Sequence, residues 1–236
     1  MHYFIFASKD SYITEDSSGQ IILYPDSTDR NYGADEIIEL KKEFVNSYST
    51  SSYNVSRMLT QFDYSAVSAS IVDGTITSPK FYLKMYEAEG NSTLSNEYTL
   101  AVQPISQSWT EGTGKFDDNP KNTNGCSWDN RSNPIGGTAT VWANAGASVL
   151  TVSSSTQAFS NQSPDVNVEV TDMVNMWLNG RANNNGMLIR FSGSQETDSI
   201  TFGHLKFFSR NTHTIYQPKL EVRWDDHLPC TGSNTG

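Results

Sequence analysis

Residues 168–191, VEVTDMVNMWLNGRANNNGMLIRF, decide how this chain is read, because strand, short helix, tight loop and strand follow one another there without a gap. Val166, Val168 and Val170 alternate with Asp165, Asn167 and Glu169, which predicts a pleated strand with one apolar and one polar, acidic face. The spacing then changes to three and four. Met173, Val174, Met176, Trp177 and Leu178 form the buried stripe of a helix whose first amides Thr171 or Asp172 can cap. Gly180 provides the left-handed residue that ends it, and Asn183, Asn184, Asn185 and Gly186 make a polar turn before Met187, Leu188 and Ile189 resume as a strand. A helix of about two turns does not hold together alone in water, so it must dock on a sheet or plug the end of a sandwich.

Short alternating runs lie on both sides of this stretch. Phe81, Leu83 and Met85 alternate with Tyr82, Lys84 and Tyr86, and this run is expected to pair with residues 56–63 across a turn at Val72, Asp73, Gly74 and Thr75. Residues 98–105 alternate until Pro104 takes the chain out of the ladder. Residues 137–153 read as two strands joined at Asn144 to Ala147, and residues 200–208 and 219–224 as the last ones. At the other end, residues 2–13 give one or two strands and residues 36–40 another. Ten or more short strands, with eleven Tyr and eleven Phe, predict an all-β fold: an antiparallel, jelly-roll-like β-sandwich with one short helix. No Pro/Gly/Ser linker divides it, so a single domain is expected over residues 1–236, carrying a long inserted loop region at about residues 119–163.

Composition removes several classes of function. A net charge of −10, with Lys and Arg scattered among more numerous acids, does not suit a phosphate backbone, so no nucleic-acid partner is expected. The start, MHYFIFASKDSYI, enters a strand at once without the basic and apolar regions of a secretory leader, and no apolar run approaches the roughly 20 residues a bilayer requires. No nucleophile elbow, metalloprotease helix, phosphate loop or paired-cysteine motif occurs, so neither an enzyme nor a cofactor is expected. The acid doublets Asp117-Asp118 and Asp225-Asp226 suit solvated turns better than a glycosidase pair. His2, His204, His213 and His227 are far apart in sequence, and Cys126 and Cys230 read as free thiols, a single bond being the alternative.

Two loops hold the candidate binding residues. Asp26, Asp29 and Asn31 have oxygen ligands at a spacing that suits Ca²⁺, although the same spacing makes side-chain turns, which is the favoured reading. In the second loop Trp128 sits among Pro, Asn, Gly and Asp, flanked by Asp129 and Arg131, with Trp142 further on. Such an indole is either tucked beneath its loop as a local core or offered to a partner. If the protein binds a glycan, Trp109, Trp128 or Trp142 would stack on the sugar.

Several motifs occur in a familiar order: RMLTQFD (57–63), SWTEGTGKFDDNP (108–120), VTDMVNMWLNG (170–180), NNGMLIRF (184–191) and QPKLEVRW (217–224). In this the chain resembles DNRLRE-type domains, all-β sandwiches related to alginate-type carbohydrate-binding modules. The opening HYFIFASKDSYIT, together with NYGADEIIELKKE and DDNPKNTNGCSW, is similar to structural proteins of tailed phages, the T4-like myoviruses of marine cyanobacteria in particular. The resemblance implies a virion component made in the host cytoplasm, with other virion proteins or a second copy of itself as partners. A host surface glycan is the alternative partner.

Overall fold

The computed structural model describes residues 1–15, 27–46, 51–89, 95, 97–160 and 165–225. In chain order these form β1 (His2–Thr14), β2 (Ile37–Asn46), β3 (Ser51–Phe62), helix α1 (Ser65–Val72), β4 (Lys80–Met85), β5 (Glu87–Glu89) and β6 (Glu97–Pro104). There follow β7 (Asn130–Ser132), β8 (Thr140–Val141), β9 (Ser155–Ser160), β10 (Val166–Glu169), helix α2 (Thr171–Leu178) and β11 (Met187–Phe191). A 3-10 turn at Gly193–Glu196 leads to β12 (Gly203–Phe208) and β13 (Lys219–Arg223). Apart from the small β7–β8 pair, the strands join in one antiparallel sheet whose main path is β10-β4-β13-β1-β3-β11-β6-β9, with β2, β12 and β5 branching from β3. The fold is all-β and sandwich-like.

The sheet curls because two of its strands serve two sets of neighbours. In β1, residues His2 to Phe6 pair with β13, whereas Ala7 to Thr14 pair with β3, and a bulge between Ala7 and Lys9 marks the change. The extra residue reverses parity, so Ile5 and Ala7 before it and Tyr12 after it enter the same core. β3 divides likewise: Ser51 to Val55 pair with β2, and the rest with β1 and β11. Three segments therefore surround one core. Phe81, Leu83, Leu220 and Val222 come from the first (β10, β4, β13 and the start of β1). Met58, Leu100, Ile189 and Phe191 come from the second (the rest of β1, then β3, β11, β6 and β9). Ile38, Leu40, Leu205 and Phe207 come from the third (the start of β3, then β2, β12 and β5). Each such side chain contributes about 1.5–3 kcal/mol by leaving water.

Helix α2 covers this core as its apolar stripe predicts, with Met173, Val174 and Trp177 buried and Gly180 at φ 66° beyond its end. The Tyr64 ring lies parallel to the Trp177 indole at 6.4 Å. The capping expectation is corrected: no side chain caps the helix, and the Thr171 hydroxyl instead accepts from the Phe81 amide at 3.0 Å and donates to Glu169 at 3.0 Å. At the ends of the main path, β9 and β10 are stitched together by one side chain. Gln157 donates to the Asp165 carbonyl at 3.1 Å and accepts from the Asn167 amide at 2.7 Å, standing in for a rung of ladder.

Three further expectations change. A second helix, α1, precedes the Asp73-Gly74 turn; its Ser-rich sequence buries only Val67, so no apolar stripe announced it. Residues 56–63 and 80–86 are not a strand pair, since β13 and β1 lie between β3 and β4. Within 137–153 only Thr140–Val141 is strand, and Val149 makes an isolated bridge to Ile105. Among the described residues no helix is long and apolar enough to cross a membrane.

Candidate functional site

The long loop forms a third layer on the outer face of the second segment. Side chains of that face, Ile13 from β1, Val55 and Leu59 from β3 and Leu188 from β11, meet Ile105, Trp109, Cys126, Trp128, Trp142 and Ala147 in a second core. Each indole is buried and held. Trp109 donates to the Asn185 carbonyl at 2.8 Å and Trp142 to the Ser127 carbonyl at 2.9 Å, while the Arg57 guanidinium lies 4.8 Å from the Trp128 ring centre and the Lys9 ammonium 4.3 Å from that of Trp109. Gly146, at φ 77°, passes so close that a Cβ there would stand 2.8 Å from the Trp128 ring. Arg57 also forks onto the buried Glu196 carboxylate at 2.7 and 2.9 Å, and Arg190 reaches the same group at 2.6 Å.

Of the two readings of this loop, the indoles follow the tucked one. Trp128 and Trp142 are tucked under it, and with Trp109 buried too, none presents an open ring to a sugar. Arg131 donates to the Ser108 carbonyl at 2.8 Å and hydroxyl at 3.2 Å. The side chain of Asp129 is exposed, but its backbone takes the Trp142 amide at 3.2 Å and gives its own to Thr28 at 3.1 Å.

The proposed Ca²⁺ ligands separate in the same way. Asn31 is fully buried and spent: its amide donates to the carbonyls of Glu111 (2.7 Å) and Cys126 (2.8 Å), and its oxygen accepts from Gly33 (3.1 Å) and Gly114 (2.8 Å). Asp29 pairs with Lys121. Asp26, like Asp226, His227 and Cys230, lies outside the described residues. Among the described residues no three His, Cys, Asp or Glu groups are arranged to hold a metal. Cys126 is an unbridged thiol that burial pushes up to about 12, far from reactive.

Two other surfaces are uncovered among the described residues. The first is the outer face of the first segment, where strand register sets side chains in rows: His2, Arg223 and Lys80; Phe4, Glu221, Tyr82 and Glu169; Phe6, Lys219, Lys84 and Asn167. Lys219 lies 5.4, 5.8 and 4.9 Å from the rings of Phe4, Phe6 and Tyr86, and Arg223 lies 4.0 Å from Tyr82. Beyond the last row Tyr216 packs on Tyr86 and Phe208 at 5.3 and 5.7 Å. Four cations (Lys80, Lys84, Lys219, Arg223) stand in the three rows against two carboxylates, and Asp165 follows in the row of Tyr86, on a chain whose net charge is −10. Glu221 accepts from Lys84 and Arg223 at 2.9 and 2.8 Å, and these partners, against the cost of burial, hold its pKa down at about 2. Phe4 and Phe6 keep 38% and 52% exposure.

The second surface is a cleft of about 500 Å³ on the third segment, walled by β2, β5, β12 and residues 115–117. Five carboxylates (Asp35, Glu36, Glu39, Glu89, Asp117) line it against two lysines, with Phe116, 48% exposed, at its side. The Phe116 amide donates to both oxygens of Asp35 at 3.1 Å. Burial nonetheless pushes Asp35 up to about 7, the charges of Glu39 and Asp117 adding to the shift. Burial works against ionised Glu39 as well, but the 3.0 Å contact with His204 outweighs it and the pKa falls.

Neither surface is legible as a site in the sequence. The row Phe4, Glu221, Tyr82, Glu169 is drawn from four strands, and only the register assembles it. No protein-family model matches the chain, and no curated protein matches it.

Proposed function

We propose that the protein is a non-enzymatic structural component of a tailed-phage virion, at a tail, baseplate, neck or head-decoration position, and that it assembles through its two open sheet faces. One observation carries this reading. The long loop, whose indoles could have served a partner, is consumed in building a third layer, while among the described residues two faces of opposite charge stay uncovered. Exposed aromatic side chains among paired charges are what protein interfaces use as anchors. The motifs similar to phage structural proteins agree with this reading.

Mass spectrometry of purified particles from infected cells tests it. The chain should be present at a fixed ratio to the major structural proteins through repeated density gradients, and its loss from the particle band would overturn the assignment.

A further inference from the structure

We infer that the chain binds a second copy of itself head to tail, the cationic, aromatic face of the first segment in one copy seating on the acidic cleft of the third segment in the next. This deepens the structural role proposed above and rests on it. Of the three segments, the second has its outer face covered by the loop layer, so among the described residues the first and the third present the uncovered sheet surfaces. Their charges are complementary: four cations to three carboxylates on one, once Asp165 in the row of Tyr86 is included, and on the other Glu36, Glu39, Glu89 and Asp117 to two lysines, with Asp35 pushed up to about 7 by burial. Both also carry exposed aromatic side chains, Phe4, Phe6 and Tyr216 on the first and Phe116 beside the cleft of the third. A positive patch on a chain of charge −10 steers toward an acidic surface and away from its own kind, which disfavours two-fold pairing of like faces. Joining unlike faces gives a heterologous contact that repeats as a ring or a filament.

The expected strength follows from size. Four strands and three rows measure about 14 Å by 14 Å, and with side chains the patch covers on the order of 400 Å² per partner, below the roughly 600 Å² per partner at which standard specific interfaces begin. A single contact is then weak, and many copies in register would make it durable. Much of the attraction is between partly exposed charges, so it is screened by salt.

Sedimentation velocity of the full chain over a concentration series tests this, at low ionic strength and again in about 0.5 M NaCl, where association should weaken ~10-fold or more. Phe6→Ser with Lys219→Glu disables one face, and Glu36→Lys with Asp117→Lys the other. Each variant alone should sediment as a monomer. Mixed, they should form a one-to-one dimer that grows no further, because each retains the face the other lacks. In case a variant misfolds, zero-length cross-linking of isotope-mixed wild type provides a second measure, with intermolecular links expected between Lys84 or Lys219 and Glu36 or Asp117. A wild type that stays monomeric at every concentration, a mixture that stays monomeric, or single variants that still associate would each overturn the inference. A chain present in particles yet monomeric in solution would sink this contact and leave the particle role standing.

Discussion

Asn31 shows how one side chain can be misread from its neighbours in sequence. Next to Asp29 it has the look of a cation ligand, but its four hydrogen bonds run to the backbone of Gly33, Glu111, Gly114 and Cys126. Two of those partners lie 80 and 95 residues away, so local spacing has no means of revealing them. The two readings predict opposite results for Asn31→Asp. As a metal ligand, a carboxylate would bind Ca²⁺ more tightly. As a buried bridge it loses two donors and sets a charge against two carbonyl oxygens, at a cost of about 3–5 kcal/mol. We expect a large fall in the urea midpoint that added Ca²⁺ does not restore. The indoles were easier to read, since three large apolar rings in polar loops need burial somewhere; what the sequence lacked was the covering partner, Arg57 and Leu59 on β3.

Single elements were legible in proportion to their periodicity. The alternation in β4 and β10 fixes which side of each is buried, and the structure agrees; in β13 Glu221 on the polar side is buried as well, and of the stripe of α2 Met173, Val174 and Trp177 are buried while Met176 and Leu178 are partly so. Alternation says nothing about the neighbour, however, which is why β3 and β4 are misread as partners. Helix α1 has no stripe to read. The β9–β10 seam is a case where one residue acts for a whole edge. Gln157→Ala should cost only ~1 kcal/mol, because both of its hydrogen bonds lie near solvent. Hydrogen exchange at the Asn167 amide should nevertheless accelerate clearly, with β4 and β13 unchanged. Equal acceleration throughout the first segment would contradict the seam and indicate global loosening.

For the molecule as a whole, charge placement sets an unusual pH dependence. Burial pushes Asp10 up to about 7, Glu111 adding to it against the Arg210 amide, and it pushes Asp35 to about 7 as well. Both folded values lie above the ordinary 3.8, so folding favours the protonated forms, and stability is lost as pH rises from about 4 to 7. Glu221, held at about 2, and Glu39, Glu169 and Asp198, shifted downward, act in the opposite sense: their contribution is present above about 4 and is lost on further acidification. Urea midpoints should therefore peak near pH ~5. Asp10→Asn, which keeps the acceptor for the Arg210 amide, should flatten the limb between 5 and 7; a midpoint rising steadily to pH 7 in the wild type would refute the ordering. The open faces, assembled from strands distant in sequence, were the least legible feature at this scale.

β1 lies between β3 and β13, and residues His2 to Phe6 meet Lys219 to Arg223 rung by rung. A ribosome therefore releases the opening strand more than two hundred residues before the partner that completes it. Until then residues His2 to Phe6, whose one strand partner among the described residues is β13, stay unpaired, so the nascent chain can finish its sheet only once β13 has left the exit tunnel.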